Sequence, residues 1–209
     1  MASKRVLMVE GPDDEHVVKH ICGEHQLGKI ETIHPYGGKA SLLESLGTRL
    51  KESDVVALGI LLDADTDLFA CWQSVADRLK QAGYTGIPAL PSPDGTIIAA
   101  PPHSLLPRVG IWLMPDNQAN GILENFLRFL VPEGDSLFAH VEYAIESIPP
   151  KQCRFSELKK PKAMIHTWLA WQEEPGKPYG QAISARYLDP HLPAADIFAT
   201  WLQRTFFTP

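Results

Sequence analysis

The stretch GILLDADTD, residues 59–67, runs from an apolar segment straight into three acids at alternate positions, Asp63, Asp65 and Asp67. The apolar part extends back to Val55, a run of the length and composition of a strand buried on both faces, as in a parallel sheet. Carboxylates gathered where such a strand ends raise one another's pKa and work against folding unless something positive sits among them.

Upstream, Val6 to Val9 is a second apolar run bounded by charge. Glu10-Gly11-Pro12 turns the chain, and Pro12-Asp13-Asp14-Glu15 supplies the proline and acids that suit a first helical turn, with Val17, Val18 and Ile21 as the apolar side. A strand near 29–34 precedes Gly37-Gly38 and a helix over 39–51; another helix is expected over 68–82. This alternation predicts an α/β fold, a parallel sheet flanked by helices on both faces. Residues 86–107, Pro-rich around Asp94-Gly95, break the rhythm as a hairpin or loop insertion. Val109 to Met114 returns as a strand and Asn120 to Leu130 as a helix. The expected organisation is an α/β domain over 1–131 and a mostly helical C-terminal extension over 132–209 packed on it, with 163–172 and 195–206 as its clearest helices.

Composition narrows the function classes. At 209 residues and 44% hydrophobic content the chain can bury a core. No apolar run reaches the roughly 18 residues of a membrane span, and the N-terminal stretch carries acid where a signal peptide would be cleaved, so a cytoplasmic protein without membrane contact is expected. Cys22, Cys71 and Cys153 are odd in number and lack a CxxC pair, which argues for core thiols. The net charge of −6 excludes a broadly basic nucleic-acid face, yet Lys151, Arg154, Lys159, Lys160, Lys162, Lys177 and Arg186 concentrate positive charge in one segment. An acidic and a basic pole suit metal at one and phosphate at the other, although a plain surface asymmetry looks the same.

In open parallel sheets, sites form at the carboxyl ends of strands. Three strands deliver acid there: Glu10, then Asp63 with Asp65, then Asp116 with Glu124 just beyond. Several carboxylate oxygens fit Mg²⁺ or Mn²⁺. The same acids have plainer uses in capping helices or complementing their dipoles, and for Asp13, Glu15 and Asp67 that use is the better reading. An EF-hand beginning at Asp63 fails, with Leu68 at position six and Ser74 at position twelve. Gly37, Gly38 and Lys39 before a helix could bind phosphate through backbone N–H groups, though Ile33 and Ala40 rule out a P-loop. Trp168, Trp171, Tyr179 and Tyr187 could stack bases, but the tryptophans' three-residue spacing favours burial in the core. No HExxH or GxSxG is present.

VEGPDD (9–14) and LLDADTD (61–67), in that order and at strand ends, resemble the Toprim domain over roughly residues 4–130. GILENF (121–126) resembles the Leu-Glu element of the OLD (overcoming lysogenisation defect) nucleases, with Lys162 matching the lysine that follows it there. HTWLAWQEEPGKPYGQAI (166–183) is similar to the extension of an uncharacterised bacterial Toprim-like family. The resemblance implies a Toprim (Rossmann-like) sheet with Glu10 as ligand or general acid/base, Asp14, Asp63 and Asp65 as metal ligands, Glu124 completing a second metal site, and Lys162 as a catalytic cation. It implies a Mg²⁺- or Mn²⁺-dependent nuclease, DNA ahead of RNA, in DNA repair or phage defence. Two rival expectations stand beside it. One is a Toprim-like subunit or binding module acting only with a partner ATPase; the other is a nucleotide-handling transferase. The basic segment is left between a nucleic-acid ramp and a homodimer contact.

Overall fold

The computed structural model describes residues 4–208. A five-stranded sheet has the spatial order β2-β1-β3-β5-β4, formed by β1 (Lys4–Val9), β2 (Thr32–Pro35), β3 (Val55–Asp63), β4 (Thr96–Ile98) and β5 (Arg108–Met114). All neighbours run parallel except β4, which lies antiparallel on β5 at the edge. The parallel ladder needs crossovers, supplied by α1 (Pro12–Glu24), α2 (Lys39–Arg49) and α3 (Leu68–Gln81). The Pro-rich segment contributes only the three-residue β4, as expected where proline removes ladder donors.

Successive side chains of a strand point to opposite faces, and here both faces are covered. Val6 and Met8 of β1 join Leu58, Ile60 and Leu62 of β3 in one core with Leu42, Leu46, Trp72 and Val75 of α2 and α3. Leu7, Val9 and Leu61 face the other way, against Val17, Val18 and Ile21 of α1. The chain after β5 packs on this second face as α4 (Leu123–Arg128), α5 (Ser136–Glu146), α6 (Lys160–Ala170), α7 (Tyr179–Ser184) and α8 (Pro193–Phe206). Its Phe138, Ile165, Trp168, Phe198 and Trp201 belong to the same apolar cluster as the strands. Trp112 of β5 meets Phe198 edge-on at 5.0 Å and Trp201 at 5.6 Å, spacings at which aromatic pairs add about 0.5–1.5 kcal/mol beyond their buried area.

Several boundaries differ from the sequence expectation for local reasons. The strand expected over 29–34 begins at Thr32, because Glu31 turns aside to accept the Arg5 N–H at 2.7 Å. The helix expected from Asn120 starts at Leu123, because the Asn120 side chain holds Leu68 N–H and Thr66 C=O, both at the start of the preceding crossover. Trp168 is buried as expected, whereas Trp171, at the C-terminal cap of α6, is 42% exposed. Among the described residues, no helix is long and apolar enough to cross a membrane.

Candidate metal centre at the carboxyl edge of the sheet

A cleft of about 340 Å³ opens where β1 and β3 end, lined by Glu10, Asp14, Asp63, Glu124, Lys162 and the Gly37-Gly38 turn. Each acid reaches it by a different local route. Glu10 follows the last residue of β1, and its Oε1 accepts the backbone N–H of Asp63 at 2.8 Å. Burial pushes its carboxyl up; the N–H groups of Asp63 and Lys39 and the Lys39 charge pull it partly back.

Asp14 is the third residue of α1. Its Oδ2 accepts the Gly11 N–H at 2.8 Å, closing the helix start, while the side chain stays only 7% exposed. Burial, with the charges of Glu10 and Glu124 beside it, pushes Asp14 up to about 7. Asp63 is the last residue of β3, and its Oδ1 is buried without a hydrogen-bond partner among the described residues. Burial, then the neighbouring Asp14 and Glu10, push it up to about 8.

Glu124, in the first turn of α4, is 3% exposed. Its Oε1 receives two donors from the C-terminal helices: Lys162 Nζ of α6 at 3.0 Å and Tyr179 Oη of α7 at 3.0 Å. Tyr179 Oη also lies 2.9 Å from His166 Nε2. Burial works against the charge on Lys162, but Glu124 and then Asp13, 3.9 Å away, outweigh it and the ammonium is held upward.

The structure thus gathers Glu10, Asp14, Asp63, Glu124 and Lys162 around one cavity and sets others apart. Asp65 adopts a left-handed backbone, φ 54°, donates its N–H to the Gly121 carbonyl at 2.8 Å and pairs its carboxylate with Lys39. Burial disfavours the Lys39 charge, yet Asp65 together with Cys71 and Glu10 offsets it and the ammonium is held upward. The side chains of Asp63 and Asp65 therefore do not project together: Asp65 borders a neighbouring hollow with Asn120 and Asn125. The Gly37-Gly38 turn, at φ 74° and 128°, sits on the cleft rim with the Gly38 N–H committed to the Glu10 carbonyl at 2.9 Å.

Asp116 does not join the acidic edge. Its Oδ1 is taken by the N–H groups of Gln118 and Ala119, which stabilises its own turn. Asp67 caps α3, accepting the Ala70 N–H at 2.9 Å, and Glu15 pairs with Lys19 along α1. Much of the basic run is likewise neutralised, with Lys160 on Glu146 at 3.7 Å, Lys177 on Glu174 at 2.6 Å and Arg186 on Glu24 at 2.6 Å.

Sequence reasoning missed Tyr179 and His166 as members of the site. The one available signal was the four-residue spacing of Lys162 and His166, which puts both on one face of a helix. Tyr179, read from the sequence only as a base-stacking candidate, is instead buried and meets Glu124 from 55 residues away.

The chain belongs to the family described as "Protein of unknown function (DUF3226)", whose model matches residues 4–207. No curated protein and no solved structure matches it.

Proposed function

We propose that this chain is a Toprim-type, Mg²⁺- or Mn²⁺-dependent phosphodiesterase acting on nucleic acid, DNA ahead of RNA, in repair or phage defence. The observation that carries the reading is Asp63 Oδ1, buried beside Glu10, Asp14 and Glu124 and without a hydrogen-bond partner among the described residues. A carboxylate oxygen withdrawn from water without a hydrogen bond is costly, and a divalent cation is the group that hard oxygen donors at a strand end accommodate. The donor set fits such an ion: all are oxygens, from separate elements, around an open cleft. Bound there, Mg²⁺ or Mn²⁺ supplies positive charge that activates water and stabilises a leaving phosphate oxygen.

The remaining work falls to the chain's own side chains. Glu10, aimed by the Asp63 N–H, is placed as ligand or general base. Lys162, at the cleft and 45% exposed, can pass from Glu124 to a phosphoryl oxygen and neutralise charge that develops on it. Tyr179 keeps Glu124 oriented when Lys162 moves.

A second reading has its own support. Lys160, Lys177 and Arg186 are paired with acids, which leaves Lys151, Arg154 and Lys159 to hold a polyanion as the bases of this run without an ion pair among the described residues. A subunit that acts when a partner ATPase delivers the substrate fits this better than a solitary nuclease.

The test is cleavage of labelled single- and double-stranded DNA and RNA with Mn²⁺, Mg²⁺ or EDTA, with Asp63→Asn and Glu124→Gln as controls. Metal-dependent cleavage lost in both variants is expected. Silence on every substrate with metal binding intact selects the partner-dependent subunit, and absence of Mg²⁺ and Mn²⁺ binding overturns both readings.

A further inference from the structure

At the opposite end of α1 from the carboxylate cleft, three side chains from two distant parts of the chain converge. His25 is the C-terminal cap of α1, with 15% of its side chain exposed. His191 lies in the turn before α8, its ring centroid 5.2 Å from that of His25. Asp196 belongs to the first turn of α8, and its Oδ1 is 3.9 Å from His25 Nε2. One ligand atom from each of the three lies within 4.8 Å of the others. At about 1.5 Å of rise per residue, His25 is roughly 16 Å along the helix from Asp14, so this cluster is separate from the cleft.

Each residue alone has an ordinary electrostatic use. An acid suits the start of α8, and a histidine suits the end of α1. Neither use calls for the two to meet, nor for a second imidazole beside them. Two imidazoles and a carboxylate are the donors of borderline ions such as Zn²⁺ and Co²⁺, in contrast to the all-oxygen set of the cleft.

The geometry needs a small closure. Donors around a tetrahedral ion with bonds of about 2.0–2.1 Å stand roughly 3.4 Å apart. His191 and Asp196 are exposed and can turn inward without repacking, whereas His25 is held in place. Its Nε2 lies 2.7 Å from the Pro190 carbonyl oxygen. Coordination through that nitrogen exchanges the hydrogen bond for a metal bond and moves the ring proton to Nδ1. The carbonyl is then near enough to serve as a further oxygen donor.

We propose that His25, His191 and Asp196 form a structural site for a zinc-class ion that clamps the start of α8 to the end of α1. The Arg186–Glu24 ion pair, 2.6 Å long, ties the turn after α7 to the same end of α1, so the ion would add a second tie between the C-terminal segment and this helix end. The clamp would fix the C-terminal helices, which supply Lys162 and Tyr179 to the cleft, without touching the cleft itself.

The test uses the full chain, stripped of metal, in an Asp63→Asn/Glu124→Gln background that removes the carboxylate site. Co²⁺ is titrated and its visible d–d absorption followed; Zn²⁺ is titrated by calorimetry with Mg²⁺ present. One saturable equivalent is expected, with a cobalt band of tetrahedral or five-coordinate intensity and a rise in thermal midpoint on adding Zn²⁺. His191→Ala and Asp196→Asn, both at exposed positions, should each weaken binding roughly tenfold or more, since loss of even an outer-shell partner costs about 10–100-fold. No saturable binding, or unchanged affinity in both variants with the far-UV spectrum intact, overturns the proposal. Because the background lacks two of the cleft carboxylates, Asp63 among them, neither outcome depends on the nuclease reading.

Discussion

Tyr179 Oη lies 3.0 Å from Glu124 Oε1, so a helix of the C-terminal segment holds the acid that opens α4. A hydrogen bond to a charged group is worth about 1.5–3 kcal/mol, and Glu124 is too deeply buried to recruit water as a substitute. Tyr179→Phe is therefore expected to lower unfolding free energy by about 1.5–2 kcal/mol in urea titrations, with Lys162 still partnering the carboxylate. Affinity for Mg²⁺ should fall as well, because Glu124 loses one of the two donors that orient it. Unchanged stability and unchanged metal affinity would show that Tyr179 merely rests beside the site.

The raised carboxyls set a pH dependence. Asp14 is held at about 7 and Asp63 at about 8, by burial first and by neighbouring acids second, against an ordinary value of 3.8. From about pH 4 to about pH 8 the folded chain keeps protons that the unfolded chain has released, so the folded state loses stability as pH rises across that window. One group contributes at most about 1.4 kcal/mol per pH unit there. Without metal, the thermal midpoint should fall between pH 5 and pH 8. Mg²⁺ should restore it, more strongly at the upper end, where it no longer competes with protons. Asp63→Asn should flatten the metal-free slope. A metal-free midpoint that rises with pH in the wild type, and equally in Asp63→Asn, would sink this account.

Legibility in the sequence followed the range of the forces involved. The apolar runs at 6–9 and 55–62, and the acids that end them, are local patterns, and they placed Glu10 and Asp63 at one edge of a parallel sheet, whereas Asp14 was singled out by the Toprim resemblance. Glu124 was legible just beyond the last strand end and Lys162 through the OLD resemblance, but their pairing was not, since the two sit in different helices with no shared period. Asp65 was misplaced beside Asp63 because alternation assumes extended backbone, and its φ of 54° turns the side chain to Lys39. Asp116 stands at a strand end as expected, but its own turn consumes the carboxylate. Tyr179 and the His25–His191–Asp196 cluster depend on how the C-terminal helices dock, which no local pattern encodes.

That docking is close enough to be tested by a single methyl group. A Cβ on Gly110 of β5 would stand 2.2 Å from Thr205 Oγ1 and 2.5 Å from its Cγ2, so α8 lies directly on the sheet at this glycine. Thr205 is fully buried and cannot rotate away into solvent. Gly110→Ala is expected to cost about 1–3 kcal/mol of stability through overpacking. Urea unfolding should show a lower midpoint and an unchanged slope, because the same surface is still exposed on unfolding. A midpoint equal to wild type would mean that α8 can lift from the sheet at no cost.

The three aspartates of residues 63–67 make different uses of one charge, and substitutions should separate them by sign. Asp67 Oδ1 accepts the Ala70 N–H at 2.9 Å as the cap of α3. Asp67→Ala should therefore cost about 1 kcal/mol and leave metal affinity unchanged. Asp65 pairs with Lys39, so Asp65→Asn should alter that ion pair while keeping most Mg²⁺ binding. Asp63 is the acid whose buried oxygen, set among like charges, lacks a hydrogen-bond partner among the described residues, and Asp63→Asn should abolish Mg²⁺ binding. At pH 8 the same substitution should leave the metal-free chain as stable as wild type or more so, since it removes a carboxylate that ionises against Asp14 and Glu10. Calorimetric Mg²⁺ titration and thermal unfolding in EDTA at pH 8 read both properties for each variant. If Asp67→Ala, and not Asp63→Asn, abolished binding, the assignment of cap and ligand would have to be exchanged.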